Sequence, residues 1–169
     1  MVLPPPRRPG TPYSIALVCL GNICRSPTAQ VVLTSKLDAE GLGDLVRVRS
    51  AGTGAWHVGE AMDRRAATTL TAHGYDPTRH RAQHFCADWF DRHDVVLVMD
   101  DRNLLEVDAL AQDDEQRKRT LLFRTFDPDV AHGIDLPDPW YGGQDGFEVM
   151  LGVVERTADA LVTELKRTV

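Results

Sequence analysis

The seven residues Ser14 to Leu20, Ser-Ile-Ala-Leu-Val-Cys-Leu, form a short, mainly apolar run that stops at Gly21-Asn22. Periodicity alone does not separate such a run from a buried helix, but its brevity and the turn-forming pair behind it favour a strand. The period then changes. Ala29, Val32, Leu33 and Leu37 recur at helical spacing until Gly41 and Gly43, and Ser26-Pro27 ahead of them has the composition of an N-cap followed by proline at the first helical position. The alternation continues: Leu45 to Ser50 is predicted as a second strand, 63–73 as a helix, Asp94 to Met99 as a third strand, Leu104 to Leu110 as a helix and Arg119 to Phe123 as a fourth strand. A last helix is predicted from near Asp145, with Glu148 completing a capping box and Phe147, Leu151, Val154, Ala158, Leu161 and Leu165 on the buried face. Strands alternating with helices require right-handed crossovers, which gives an α/β domain with a parallel sheet covered on both faces. Ligands of such sheets bind beyond the carboxyl ends of the strands, where Cys19 falls.

Other properties narrow the field. A chain of 169 residues suits one domain and buries about two-thirds of its unfolded surface. With 43% hydrophobic and 26% charged residues it is neither disordered nor fibrous. A net charge of -6 argues against nucleic acid as a partner while leaving room for a local anion site. No apolar run reaches the roughly 18 to 20 residues of a membrane span, and no signal-peptide core precedes the first strand. No membrane association is therefore expected and the cytoplasm is the default compartment, with export lacking a signal peptide left open. Three cysteines, an odd number, point to free thiols. Residues 1–12, with five prolines plus Arg7 and Arg8, are expected to be a flexible tail ahead of a domain at 13–169. The segment 125–143 has little apolar periodicity and contains Asp127-Pro128, Pro137, Asp138-Pro139 and Gly142-Gly143, the character of a functional lid.

Chemistry is concentrated in Cys19-Leu20-Gly21-Asn22-Ile23-Cys24-Arg25-Ser26-Pro27. Five residues between thiol and guanidinium let the backbone curl so that successive N–H groups, with the helix N-terminus, form a cradle for a tetrahedral dianion. Gly21 is expected to supply the unusual dihedrals. Arg25 presents two parallel donors to two phosphoryl oxygens, a geometry lysine lacks. The same donors stabilise a thiolate at Cys19. Asn22 and Ser26 are placed to hydrogen-bond within the loop and toward the sulfur. Cys24 has two readings, loop packing or a reversible disulfide with Cys19 that shields it from irreversible oxidation. Cys86 is read as structural. A zinc site from Cys19, Cys24, His84 and Cys86 matches no familiar spacing and would set a cation beside Arg25.

The string from Val18 to Pro27 resembles the signature loop of the low-molecular-weight protein tyrosine phosphatases. So do, in the same order, Ser50-Ala51-Gly52-Thr53, Trp56-His57-Val58-Gly59, Asp63 and Arg65, His73-Gly74, Met99-Asp100, Asn103 and Asp138-Pro139-Trp140-Tyr141-Gly142. The likeness runs from about Ile15 to the final helix and is greatest to actinobacterial members. It implies a four-stranded parallel sheet with helices on both sides, no metal, no cofactor and a phosphocysteine intermediate. Carried onto matching positions, Cys19 would be the nucleophile, Arg25 the phosphate ligand and Asp138 the general acid. Asn22 and Ser50 would brace the loop, and Ser26 would assist the sulfur as leaving group. An acid is needed because a tyrosine phenolate is the conjugate base of a group with pKa about 10. Asp127 and Asp138 both precede proline, and only the resemblance selects Asp138. Trp56, His57, Trp140 and Tyr141 are candidates for the pocket rim, where aromatic walls would sandwich the substrate ring. Trp140 stands where many members have tyrosine, and the tail before Tyr13 is longer than usual. The implied partners are phosphotyrosine-containing proteins and a tyrosine kinase, with a monomer as the default. Two rivals remain: an arsenate reductase of the same fold, which needs a downstream cysteine pair where only Cys86 stands, and a non-catalytic phosphotyrosine-binding module.

Overall fold

A computed structural model describes residues 1–130 and 133–169, apart from the side chain of Tyr141. Strands β1 (Tyr13–Cys19), β2 (Val46–Gly52), β3 (Val95–Val98) and β4 (Thr120–Leu122) form one parallel sheet in the order β2-β1-β3-β4. Helices α1 (Arg25–Ala39), α2 (Arg64–Ala72), α3 (Trp89–Arg92), α4 (Asp101–Asp108), α5 (Asp114–Lys118) and α6 (Gln144–Thr168) complete it. Strand alternation sorts the core into two layers. Ile15, Leu17 and Cys19 of β1 share one apolar layer with Val95 and Leu97 of β3, Leu33 of α1 and Phe147 and Leu151 of α6. Ala16, Val18, Val96 and Val98 face the other way, onto Phe85, Trp89, Phe90 and Val107. All six apolar positions predicted for the last helix are buried. Among the described residues no helix is long and apolar enough to cross a membrane.

Because the chain leaves central β1 for β2 on one side and then crosses to β3 on the other, a crevice opens at the carboxyl ends of the strands. Cys19 ends β1 there, in register with Gly52 of β2.

Several boundaries differ from expectation. β2 runs on to Gly52, while β3 and β4 are shorter than their apolar runs, and α3 and α5 are too short to show a period. Cys24 occupies the cap position of α1 without a side-chain cap bond, which puts Ser26 and Pro27 inside the first turn. Proline is tolerated there because the first N–H groups of a helix have no intrahelical acceptor. Gly143 caps α6, again without a side-chain bond, so the expected capping box is not formed. Glu148 instead meets His73 Nε2 at 2.8 Å.

Residues 1–12 contain no helix or strand but lie against the domain. Leu3 is buried in the α1/α6 layer. Tyr13 Oη donates to the Pro4 carbonyl at 2.8 Å, Arg119 Nη1 donates to that of Pro5 at 2.9 Å, and Arg7 N donates to Asp94 Oδ1 at 2.6 Å.

Candidate active site

Cys19, Leu20, Gly21, Ile23, Cys24 and Arg25 line a cavity of about 210 Å³ with Trp56, His57, Asp138 and Trp140. Four of the loop's carbonyls point away from it. Those of Cys19 and Leu20 accept from the N–H groups of Thr53 and Gly54, each at 2.9 Å, and that of Ile23 accepts from Asp63 N at 2.8 Å. The Asn22 carbonyl accepts from His80 Nε2 at 2.6 Å, which fixes the proton on that nitrogen. In a planar trans peptide the next N–H points opposite to the carbonyl. The N–H groups of Leu20, Gly21, Ile23 and Cys24 are therefore turned toward the cavity, as an anion cradle requires.

The left-handed residue that makes this curl is Asn22, with φ of 56°, and not Gly21 as expected. Asparagine tolerates that region, and here its side chain is committed three ways. Its Oδ1 accepts from Gln83 N at 2.8 Å, and its Nδ2 donates to Ser26 Oγ at 2.8 Å and to Ser50 Oγ at 2.9 Å. Ser50 Oγ passes its own proton to Gln30 Oε1 at 2.6 Å. Since Ser26 Oγ accepts from Asn22, its proton is free for Cys19 Sγ, 2.9 Å away and nearer than the Ala51 carbonyl at 3.4 Å. Gly21 serves a different purpose: a Cβ there would lie 3.1 Å from the His57 ring. At Gly52 a Cβ would meet the Leu20 carbonyl at 2.6 Å, so only glycine lets the end of β2 pass under the loop.

Arg25 is buried, and its Nη1 donates to Asp100 Oδ2 at 2.6 Å and to the Leu136 carbonyl at 3.2 Å. Its Nη2 lies 3.5 Å from Asp138 Oδ2. Burial opposes the charge, but Cys19, Asp100 and Asp138 outweigh it and hold the guanidinium above its ordinary pKa. Burial, with Cys19 next in weight, pushes the Cys24 thiol up. Burial lowers the pKa of His80, outweighing the bond to the Asn22 carbonyl, which raises it.

The two Asp-Pro candidates are separated by the fold. The Asp127 side chain is fully buried away from the cavity, with Arg156 Nε and Nη2 at 2.7 and 2.8 Å and Arg124 Nε at 3.1 Å. Burial opposes its ionisation, yet these bonds and one from Asp129 N hold its carboxyl below the usual range. Asp138 lines the cavity with 35% of its side chain exposed and accepts from Trp140 N at 3.0 Å. Trp56, His57 and Trp140 form the rim, while the side chain of Tyr141 lies outside the described residues. Arg65 holds Trp140 from behind, its guanidinium 5.3 Å from the indole centroid and its Nη1 donating to the Trp140 carbonyl at 3.3 Å. Cys86, expected to be structural, is exposed, and with His84 it lines a separate hollow.

Gln30, His80, Gln83 and the role of Asp100 were not legible as parts of this site. Asp100 stood only within a resembling segment, and the other three carry no spacing signal, because they reach the loop through the fold.

Fold and loop together define a class: parallel α/β domains that hold an anion on the loop between the first strand and the first helix. The family model for low molecular weight phosphotyrosine protein phosphatases matches residues 14–169, and the chain belongs to that family of hydrolases. A low molecular weight protein-tyrosine-phosphatase of Streptomyces coelicolor is 42% identical over 158 residues, 93% of this chain and 96% of its own. Protein-tyrosine phosphatase A of Mycobacterium tuberculosis is 44% identical over 156 residues, 89% and 90% of the two chains. The crystal structure of an Entamoeba histolytica protein tyrosine phosphatase with Hepes in its active site superposes with a TM-score of 0.86 at 26% identity, covering 92% of this chain and 97% of that one.

Proposed function

We propose that this chain hydrolyses phosphotyrosine in proteins through a covalent phosphocysteine. The observation that carries the reading is the convergence of Cys19, Arg25 and Asp138 on one cavity, with the loop carbonyls of Cys19, Leu20, Asn22 and Ile23 bonded to groups behind it. The Cys19 thiolate attacks phosphorus while Arg25 and the inward N–H groups bind the equatorial oxygens, where transition-state charge is spread. Protonated Asp138 delivers its proton to the departing phenolate oxygen, and the resulting carboxylate then takes a proton from the water that displaces sulfur. The Ser26 hydroxyl, directed at the sulfur by Asn22, stabilises the thiolate both as nucleophile and as leaving group.

Trp56, His57 and Trp140 wall a cavity suited to a long planar side chain, which favours tyrosine over serine or threonine. Both thiols of the loop line that cavity, which supports a protective Cys19-Cys24 disulfide. Peroxide would oxidise Cys19 to a sulfenic acid and leave as water, and the Cys24 thiol would then attack that sulfur and give its proton to the departing hydroxyl, which leaves as a second water. Cys86 opens on a different hollow, which leaves no resolving pair for an arsenate reductase.

The test is hydrolysis of an aryl phosphate and a phosphotyrosine peptide without metal, under reducing conditions. Cys19→Ser should lower kcat by about 10⁴-fold or more. Asp138→Asn should lower it about 10²- to 10⁴-fold, least for the best leaving group. Arsenate reduction without phosphatase turnover, or phosphopeptide binding without turnover, would replace this reading with the corresponding rival.

A further inference from the structure

Trp56 lines two hollows. One is the cavity with Cys19 and Arg25, and the other is a hollow of about 510 Å³ lined by Gly54, Phe85, Cys86, Ala87 and Leu110. We propose that this second hollow receives an apolar side chain of the substrate polypeptide two residues from the phosphotyrosine. The inference rests on the phosphotyrosine reading of the first cavity.

Three observations support it. Trp56 is 70% exposed, yet its indole lies directly on Gly54: a Cβ there would come within 1.8 Å of Cζ3. A large apolar side chain is thus held in water at a defined place, on the same hollow as the exposed Leu110. The hollow is mainly apolar, with buried Phe85 in its lining and Leu110, 42% exposed, after α4. Glu106 at its edge is already engaged by Arg102 Nε at 3.2 Å. Finally, the shared wall sets the geometry. Alternate side chains of an extended peptide leave the same face about 7 Å apart. A phosphotyrosine in the first cavity therefore brings its second neighbour over the Trp56 ring into the hollow beside it. A polypeptide continuous with the phosphotyrosine fits that arrangement without a second binding event.

The experiment compares kcat/KM for phosphotyrosine peptides carrying Leu or Gly two residues before or after the phosphotyrosine, with a small aryl phosphate as reference. Wild type should prefer Leu over Gly on one side by roughly tenfold, the gain from partly burying one leucine side chain. Leu110→Glu should abolish that preference and leave aryl phosphate turnover unchanged. Leu105→Glu, at a 72% exposed position on α4 outside the hollow, should change neither. Equal turnover of all peptides with normal aryl phosphate hydrolysis would overturn the subsite alone, whereas absent aryl phosphate hydrolysis would overturn the catalytic reading beneath it. Sedimentation showing a wild-type dimer that Leu110→Glu dissociates would overturn the subsite in favour of a second copy of the chain.

Discussion

The loop from Cys19 to Ser26 is tied to several separate parts of the fold: Asn22 to Gln83 and Ser50, the Ile23 carbonyl to Asp63, the Asn22 carbonyl to His80. The segment carrying Asp138 is held differently. Asp127 anchors its start through Arg124 and Arg156, Arg124 reaches forward to the carbonyls of Asp129 and Asp135, and Leu136 N meets the Met99 carbonyl at 2.7 Å. Beyond Leu136 the ties thin, and among the described residues the partly exposed Asp138 has Trp140 N and Arg25 as its polar partners. The contrast fits the two tasks proposed for these groups. A nucleophile and its anion cradle gain from fixed geometry, while an acid that later becomes a base has to meet first a phenol and then a water.

The largest test of that contrast is Asp127→Ala, which leaves two arginines facing an empty buried site. It should cost about 3 to 5 kcal/mol of stability in denaturant unfolding. Because the folded pKa of Asp127 lies below the unfolded value, its contribution is present above about pH 4 and lost as pH falls through the folded pKa. The stability of the variant should therefore fall less steeply in acid than that of wild type. An unchanged denaturation midpoint would show that the segment is not anchored there.

Next in size is Arg25→Lys, which keeps the charge but removes the fork. It should lower kcat about 10²- to 10³-fold with little change in stability, read from steady-state kinetics beside a melt. A loss no greater than threefold would show that charge alone suffices. The smallest effect is expected for Ser50→Ala, which strands one buried proton of Asn22 and reaches Cys19 only through Asn22 and Ser26. About tenfold in kcat is expected, equal for good and poor leaving groups. A loss confined to poor leaving groups would instead place Ser50 in the acid step.

The fold was legible where one period dominated. The apolar run at 14–20 and the spacing from Phe147 to Leu165 needed no tertiary information. Signals that depend on competing partners were less informative. Ser26-Pro27 has the composition of a cap, but the hydroxyl is drawn to Asn22 and Cys19, and the helix has already begun at Arg25. Glu148 completes a capping pattern in sequence, yet His73 lies within its reach. The unusual dihedral was assigned to the glycine although the neighbouring asparagine carries it, because Asn22 gains hydrogen bonds there that composition does not reveal. Between Asp127 and Asp138 only the resemblance chose in sequence, and the fold adds what spacing does not reveal, that Arg124 and Arg156 already occupy Asp127.

The pairing of Arg25 with Asp100 also bears on what happens after the chemistry. Before any phosphate arrives, its guanidinium already faces one carboxylate at 2.6 Å and another at 3.5 Å. Inorganic phosphate in the loop would share that cation with both of them, and like charges a few ångströms apart repel wherever burial limits screening. The same carboxylates that position Arg25 therefore loosen its grip on the product. On the proposed mechanism, a cation already shared in this way would favour departure of the phosphate product over its retention.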